Sequence, residues 1–176
     1  MGSLKYSEIE EIYKCFPHYG GQFNTFIETG TYMGETLNNV QEHFTNLYSV
    51  ENNKSNYNIS VVNTSEKENI HVYFDNSENY LTDNTSHYSN TNTIFFIDAH
   101  SSGNITCPIL RELDIICTNI RSSLYIFIIN DERLFDKYTD WKGITKESIL
   151  NVLNSKNINV LDSYVCNDKF IIISYC

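Results

Sequence analysis

The sequence predicts an α/β protein of 176 residues, in which five parallel strands with helices on both faces are followed by a C-terminal antiparallel hairpin. Apolar runs bounded by turn residues alternate with segments of helical periodicity, which is the pattern of a doubly wound fold. Runs such as TIFFI at 93–97 and YIFII at 125–129 are apolar on both faces, as in buried parallel strands. The last two apolar runs are joined by the short link VCND, which predicts a hairpin. We expect residues 1–176 to form a single domain.

Seven strands and five helices follow from these patterns. The strands are expected at residues 24–28, 46–51, 69–74, 92–98, 124–131, 158–164 and 169–175. The helices are expected at residues 34–44, 54–64, 77–84, 107–118 and 145–155. The fourth helix has Pro108 near its first turn and apolar residues at helical spacing, which indicates core packing. The polar stretch at 82–93 is expected to be a surface connection, and no element is assigned before residue 24.

The composition argues against several classes of protein. A net charge of −10 and a pI near 4.8 argue against a nucleic-acid partner, because affinity for a phosphate backbone comes from lysine and arginine. No apolar stretch approaches the roughly 18 residues of a membrane span, and the polar, acidic N-terminal residues do not resemble a signal peptide. The five cysteines form no C-x-x-C pair, which argues against zinc and disulfide frameworks and for a reducing, cytoplasmic location.

The stretch FIETGTYMGET at 26–36 places an acid and two glycines between the first strand and the next helix. Ligands of doubly wound sheets bind outside the carboxyl ends of the strands, where Glu28 and Gly30 are expected. A dinucleotide site would need G-x-G-x-x-G, but Tyr32 stands where a second closely spaced glycine would fall, ahead of Gly34. An acid here would repel a diphosphate and attract an amino group. The loop therefore fits S-adenosylmethionine better than NAD or ATP, the alternative being a tight turn without a ligand.

Two further acids end the next two predicted strands. Glu51 ends the second strand, where a carboxylate can accept hydrogen bonds from both ribose hydroxyls. Asp75 and Ser77 follow the third strand, where an adenine edge would lie and where Asp75 could accept from the exocyclic amine. Each acid alone is more often a solvated strand end. Their recurrence at the same place on successive strands favours one ligand site.

With these motifs in place, the chain resembles class I S-adenosylmethionine-dependent methyltransferases, from about residue 24 to residue 135. It is most similar to a group with an E-x-G-T-x-x-G-x-T first loop that includes the macrocin-type sugar O-methyltransferases. The chain departs from the commoner glycine-rich loop at Tyr32. The resemblance implies a Rossmann-like methyltransferase fold. It also implies cofactor contacts from Glu28, Thr29, Gly30, Thr31, Gly34, Glu51, Asp75 and Ser77.

Polar residues also end the fourth and fifth strands, which are expected to be neighbours. Asp98 and His100 follow FFI, and Asn130 and Asp131 follow FII. Oxygen ligands from Asp98, Asn130 and Asp131 would suit a divalent cation such as Mg²⁺. The sugar and catechol-type O-methyltransferases hold a metal with acids at these two strand ends, and Asn130 replaces an acid of the sugar enzymes.

The predicted catalytic residues are His100 and Asp98. The position of His100 resembles that of the base of the sugar enzymes, so it is predicted to take the proton of the acceptor hydroxyl. Two alternatives remain open: His100 caps the SSG turn that follows it, and Asp98 and Asp131 only position the substrate.

The predicted function is therefore S-adenosylmethionine-dependent O-methylation of a sugar, a glycan or another small molecule, assisted by a divalent metal. Its rivals are a metal-independent methyltransferase and a non-catalytic Rossmann-like binding module in an assembly. An NAD-type domain is disfavoured by the glycine spacing and by the terminal hairpin. Because the chain has little insertion to cover an acceptor, a partner subunit, which could be a second copy of the chain, or the segments 1–23 and 135–145 would have to do so.

Overall fold

The computed structural model describes residues 3–17, 23–100 and 106–176, and its strands form one seven-stranded sheet. The strands are β1 (Thr25–Thr29), β2 (Asn46–Glu51), β3 (Ile70–Phe74), β4 (Thr93–Ile97), β5 (Leu124–Ile129), β6 (Asn159–Cys166) and β7 (Lys169–Tyr175). Their order is β3-β2-β1-β4-β5-β7-β6, in which the first five are parallel and β7 runs antiparallel to both of its neighbours. The prediction of five parallel strands followed by a hairpin is confirmed.

Six helices accompany these strands in the described residues. They are α1 (Tyr6–Cys15), α2 (Glu35–Val40), α3 (Lys54–Thr64), α4 (Ser77–Asp83), α5 (Ile109–Asn119) and α6 (Lys146–Ser155). The second is shorter than predicted, because residues after Val40 continue as a 3-10 turn, Gln41–His43. In the described part of the chain, no helix combines the length and apolar character that crossing a membrane requires.

The central strands are buried on both faces, as their continuous apolar runs predict. All five residues of β1 and of β4 are buried. On one face Phe95 stacks on Phe127 at a ring distance of 5.3 Å, within a cluster that includes residues of α4, α5 and α6. On the other face Phe96 and Ile128 belong to a second cluster with residues of α1 and α2. Burial on both faces holds the strand ends of the sheet in a rigid arrangement.

Helix α1 was not predicted from the sequence. Its apolar contact is narrow: Ile9 and Ile12, three residues apart, are buried together with Leu4 just ahead of the helix. The remaining face is polar and acidic, so the 3.6-residue pattern is weak over ten residues. The Lys5 N–H donates to Glu8 Oε2 at 3.0 Å and caps the first turn.

The C-terminal hairpin has a tighter turn than predicted. Strand β6 extends to Cys166, so the four-residue link becomes the two residues Asn167 and Asp168. Both have positive φ, 48° and 62°, as in the two-residue turns that match the twist of a hairpin. The turn lies beside the end of β5, which brings Asp168 close to the predicted metal residues.

Candidate functional site

The carboxyl ends of the parallel strands open onto a cavity of about 440 Å³. This volume lies within the range of small-molecule and cofactor sites, about 300–1,000 Å³. Six of the residues predicted from the sequence line it, namely Gly30, Glu51, Asp75, Ser77, Asp98 and His100. The strand ends predicted to carry chemistry therefore meet at one place, as the parallel arrangement requires.

The two loop glycines are required by the backbone. Gly30 has φ +83°, and a Cβ there would lie 2.7 Å from the carbonyl oxygen of Asp98. Gly34 has φ +80°, and a Cβ there would lie 3.2 Å from the side chain of Thr64 on α3. Tyr32, at the position of the missing glycine, also has positive φ, 50°. The loop thus keeps the left-handed conformation that glycine adopts freely, although Tyr32 adopts it at a steric cost.

Glu28 lies beneath this loop and does not face the cavity. It is 1% exposed, and its Oε2 accepts a hydrogen bond from Ser49 Oγ at 2.7 Å. Ser49 Oγ is in turn 2.6 Å from Thr31 Oγ1. Burial raises the pKa of Glu28 to about 8, so the carboxyl group is mostly neutral at pH 7. Of the other predicted cofactor residues, Thr29 and Thr31 are also buried, and Gly34 packs against α3. Together with Glu28, these residues shape the loop from below.

Glu51 connects the loop to the second strand. It is 7% exposed and lines the cavity. Its Oε2 accepts from the Tyr32 N–H and its Oε1 from the Asn53 N–H, both at 2.8 Å. Each carboxylate oxygen has a second lone pair, so both remain able to accept from a pair of ligand hydroxyls. The backbone bonds hold the carboxylate in one orientation, which suits recognition of a ribose.

Asp75 and Ser77 form the next part of the wall. Asp75 Oδ1 accepts from the Asn76 N–H at 2.7 Å and from Asn79 Nδ2 at 3.1 Å. The Asn76 side chain caps α4 by accepting from the Asn79 N–H at 2.8 Å. Ser77 is the first residue of that helix and lines the cavity. The cap therefore sets the direction in which both side chains are presented.

Two charged cavity residues were missed in the sequence. Arg111 on α5 pairs with Glu78 on α4, with Nε 2.9 Å from Oε1, and both line the cavity. The apolar spacing of α5 predicted only core packing, and no local pattern marks its one cavity-facing arginine. The pair forms where the N-terminal ends of two helices converge, which is a tertiary feature.

Beside the cavity, the ends of β4 and β5 bring three titratable side chains together. His100 Nε2 lies 3.3 Å from Asp98 Oδ1 and 3.0 Å from Asp131 Oδ2. One donor atom from each of the three lies within 4.8 Å of the others. Asn130 belongs to the same group, but its Nδ2 donates to Asp98 Oδ1 at 2.8 Å, so its amide presents a donor to that carboxylate. The expectation that these two strand ends are neighbours is confirmed.

The electrostatics of this group keep His100 protonated. Hydrogen bonds to Asp131 and Asp98 raise the pKa of His100 to about 11, against the opposing effect of burial. In return, the bond to His100 lowers the pKa of Asp131. With this geometry His100 donates to both carboxylates at neutral pH, and it has a free lone pair at Nε2 only after losing that proton. The alternative in which His100 caps the SSG turn involves residues 101–103, which lie outside the described residues.

Asp131 is held by a second cation, Arg133. The guanidinium Nη1 lies 2.6 Å from Asp131 Oδ1 and also contacts the carboxylate of Asp168 in the β6–β7 turn. The Arg133 N–H donates to Asp168 Oδ1 at 2.8 Å. Asp168 therefore supports this edge of the sheet from the hairpin. The sequence could not show this role, because VCND indicates only a turn.

Comparison with known proteins identifies the fold. No known protein family matches the chain, and no curated protein matches it in sequence. Among solved structures, Aeropyrum pernix fibrillarin in complex with natively bound S-adenosyl-L-methionine is similar with a TM-score of 0.60 and 12% identity, over 88% of this chain and 67% of that one. The N-methyltransferase NodS from Bradyrhizobium japonicum has a TM-score of 0.61 and 8% identity, over 96% and 93%. A S-adenosylmethionine-dependent methyltransferase from Clostridium acetobutylicum has a TM-score of 0.60 and 11% identity, over 97% and 98%.

These likenesses confirm the Rossmann-like methyltransferase fold. The chain spans about two thirds of the length of the fibrillarin and nearly the full length of the other two proteins. At identities of 8–12%, similarity extends to the arrangement of the sheet and helices.

Proposed function

We propose that the chain is an S-adenosylmethionine-dependent methyltransferase and that the cavity at the carboxyl ends of β1 to β4 binds the cofactor. One observation carries the proposal. The left-handed loop at Gly30 follows β1, Glu51 ends β2, and Asp75 and Ser77 follow β3, and all of them line a single cavity. A doubly wound sheet offers its ligand site at this edge. The fold similarity to a protein with natively bound S-adenosyl-L-methionine supports the same assignment.

Each wall of the cavity then has a part in binding. Glu51 accepts from the ribose hydroxyls, and Asp75 and Ser77 lie at the adenine end. Glu28, buried and mostly neutral at pH 7, acts on the methionine end through the loop that it supports by way of Ser49.

We further propose that the acceptor is a hydroxyl group of a sugar, a glycan or another small molecule, placed beside His100. The net charge of −10 disfavours a nucleic-acid acceptor. Trp141, whose ring centre is 5.5 Å from that of His100, is buried and stacks with Phe135, so aromatic packing supports His100 on this side. Apolar and aromatic walls with a few polar groups are typical of small-molecule sites.

The residues at the ends of β4 and β5 fit a divalent cation. Asp98, His100 and Asp131 would hold it, with two oxygen donors and one nitrogen donor, a set that favours Mn²⁺ over Mg²⁺. A bound cation lowers the pKa of an acceptor hydroxyl and so aids loss of its proton. With a cation bound, His100 would lose its proton and its Nε2 lone pair would serve as a ligand. In the ion-free state Asp98 and Asp131 orient the acceptor, and His100 keeps its proton.

A metal-independent methyltransferase is the second candidate, and one observation favours it. The two carboxylates of Asp98 and Asp131 are already paired with the imidazolium of His100 and the guanidinium of Arg133. Arg133 also pairs with Asp168, so the five side chains carry a formal charge of −1, but each carboxylate already has a cationic partner without a bound ion. In-line placement of the acceptor hydroxyl against the sulfonium of the cofactor would then supply most of the rate enhancement.

Calorimetry with S-adenosylhomocysteine tests the cofactor site. The natural chain should bind, and Glu51→Ala should weaken binding by roughly 1–3 kcal/mol, the value of hydrogen bonds to a charged group. Glu66→Ala is the matched control, because Glu66 is exposed and does not line the cavity. Absence of binding by the natural chain would exclude an active methyltransferase and leave a non-catalytic module.

Turnover against nucleotide sugars and simple glycosides, with Mn²⁺, Mg²⁺ or a chelator, tests the acceptor and the cation. Metal-assisted transfer predicts activity that the chelator abolishes and Mn²⁺ restores. Full activity in chelator would select the metal-independent mechanism.

A further inference from the structure

A buried carboxyl group lies directly behind the cavity. Glu112 on α5 is 0% exposed. Its Oε2 accepts a hydrogen bond from Thr29 Oγ1 at 3.3 Å, and its Oε1 is buried without a hydrogen-bond partner among the described residues. An ionisable group with an unsatisfied oxygen costs folding free energy that an apolar side chain of similar size would not. Core packing therefore does not explain why glutamate stands here.

Of the two hydroxyl groups beside Glu112, that of Ser77 lines the cavity and that of Thr29 is buried beneath the first loop. Thr29 ends β1 immediately before Gly30, and its Oγ1 also accepts from the Asp98 N–H at 3.3 Å. Ser77 lines the cavity, and its hydroxyl is close enough to favour the charged form of Glu112. Glu112 thus connects the base of the first loop, the start of α4 and, through Thr29, the end of β4.

The charges around Glu112 keep its protonation state responsive near neutral pH. Burial raises the pKa of Glu112 to about 7; Ser77 and Thr29 act against this rise, Glu78 adds to it, and His100 lowers the pKa. Arg111, the neighbouring cation on α5, is paired with Glu78. A carboxyl group that is partly protonated can donate one hydrogen bond or only accept, so it can match different orientations of the two hydroxyls.

We propose that Glu112 is a positioning residue of the cofactor cavity, whose carboxyl group accepts from Thr29 beneath the first loop and attracts the nearby Ser77 hydroxyl at the adenine end, and so favours the arrangement that binds S-adenosylmethionine. This inference rests on the proposed function. It gives Glu112 a role in ligand affinity that the fold does not need.

A residue that aids ligand binding but destabilises the fold can be recognised by measuring both the melting temperature and the ligand affinity of a variant. Glu112→Leu removes the carboxyl group with its unpartnered oxygen and keeps most of the volume, so the ligand-free protein should melt at a higher temperature. The same change releases Ser77 and Thr29, so affinity for S-adenosylhomocysteine should fall. A residue with a purely structural role would give the opposite pair of results, a lower melting temperature and an unchanged affinity.

The experiment measures melting temperature without ligand and S-adenosylhomocysteine affinity by calorimetry for four proteins. Relative to the natural chain, Glu112→Leu should bind roughly tenfold or more weakly, as expected for loss of hydrogen bonds to a buried carboxyl group. Glu112→Gln keeps the shape and one acceptor and should bind within about threefold. Asp114→Leu is the matched control, the same class of exchange on the exposed side of α5, and should bind as the natural chain does.

The outcomes separate the two proposals. No binding by the natural chain overturns the proposed function, and with it the role of Glu112. Binding by the natural chain and equal binding by Glu112→Leu overturns the role of Glu112 alone. If Glu112→Leu does not fold, the pH dependence of affinity provides the test. Between pH 6 and 8 the affinity of the natural chain for S-adenosylhomocysteine should change with the protonation of Glu112, whereas the affinity of Glu112→Gln should not show this change. Identical pH profiles for the two proteins would overturn the proposal.

Discussion

Replacing Glu28 by glutamine should change how the stability of the protein depends on pH. Burial raises the pKa of Glu28 from 4.5 to about 8 in the folded chain. A group whose pKa is higher in the folded than in the unfolded chain stabilises the folded state fully below its unfolded pKa. That contribution is lost as the pH rises from 4.5 through 8. Glutamine has the same shape, can still accept from Ser49 Oγ, and does not titrate.

The size of the effect follows from the two pKa values. Their difference, 8 − 4.5 = 3.5, corresponds to about 5 kcal/mol when each unit contributes about 1.4 kcal/mol. Integrated over pH, the loss in the natural chain is about 1 kcal/mol at pH 5, about 3 kcal/mol at pH 7 and nearly 5 kcal/mol at about pH 9. Since domains are typically stable by about 5–15 kcal/mol, the shift should be visible in denaturation midpoints.

Urea unfolding at roughly pH 5, 7 and 9 measures this shift as a difference between variant and natural chain, which cancels the titration of every other group. Between pH 5 and 9 the free energy of unfolding of Glu28→Gln should rise relative to the natural chain by roughly 3–4 kcal/mol. Glu66→Gln, an exposed control, should follow the natural chain. A difference that stays constant with pH would mean that Glu28 ionises as readily in the folded as in the unfolded chain, and would refute the assignment of a buried neutral carboxyl group.

Three further outcomes are expected. Gly30→Ala forces a Cβ against the Asp98 carbonyl at a left-handed φ, so the melting temperature should fall by roughly 4–8 °C for a cost of about 2 kcal/mol; an unchanged melting temperature would mean that the loop relaxes. Asp131→Ala should abolish Mn²⁺ dependence and most turnover without unfolding the protein, and turnover that still responds to Mn²⁺ would exclude Asp131 as a ligand. His100→Ala should weaken Mn²⁺ binding seen by calorimetry if His100 is a ligand; unchanged Mn²⁺ binding with turnover slowed by about 10²–10⁴-fold would instead show that it is the base.

Much of the architecture could be predicted because its signals are local. Continuous apolar runs such as TIFFI and YIFII require burial on both faces, which only central strands between helical layers provide. Acids that directly follow such runs must gather at one edge of a parallel sheet, so Glu51, Asp75 and Asp98 could be assigned to one site before any contact was known. Helix α1 could not, because its contact with the sheet depends on few apolar positions in an acidic segment.

Other parts of the site have no local signal. Arg111 and Glu112 lie in a helix whose pattern indicates only core packing. Arg111 lines the cavity and Glu112 lies behind it, because α5 packs against α4 and the end of β1. Asp168 is an ordinary turn residue in the sequence, and it supports Asp131 through Arg133 because β7 pairs with β5.

The sequence by itself determined the order of strands and helices from β1 onward, the hairpin and the kinds of side chain at the carboxyl edge, since alternation, hydrophobic period and turn chemistry depend on residues close together in the chain. Only the tertiary structure decided which way those side chains point and which protons they carry. Glu28 turns beneath the loop to Ser49 on the adjacent strand, and His100 lies between two carboxylates from neighbouring strands. Burial and the distance to other charges set both pKa values, and these quantities arise from residues that are distant in sequence and meet only in the folded sheet.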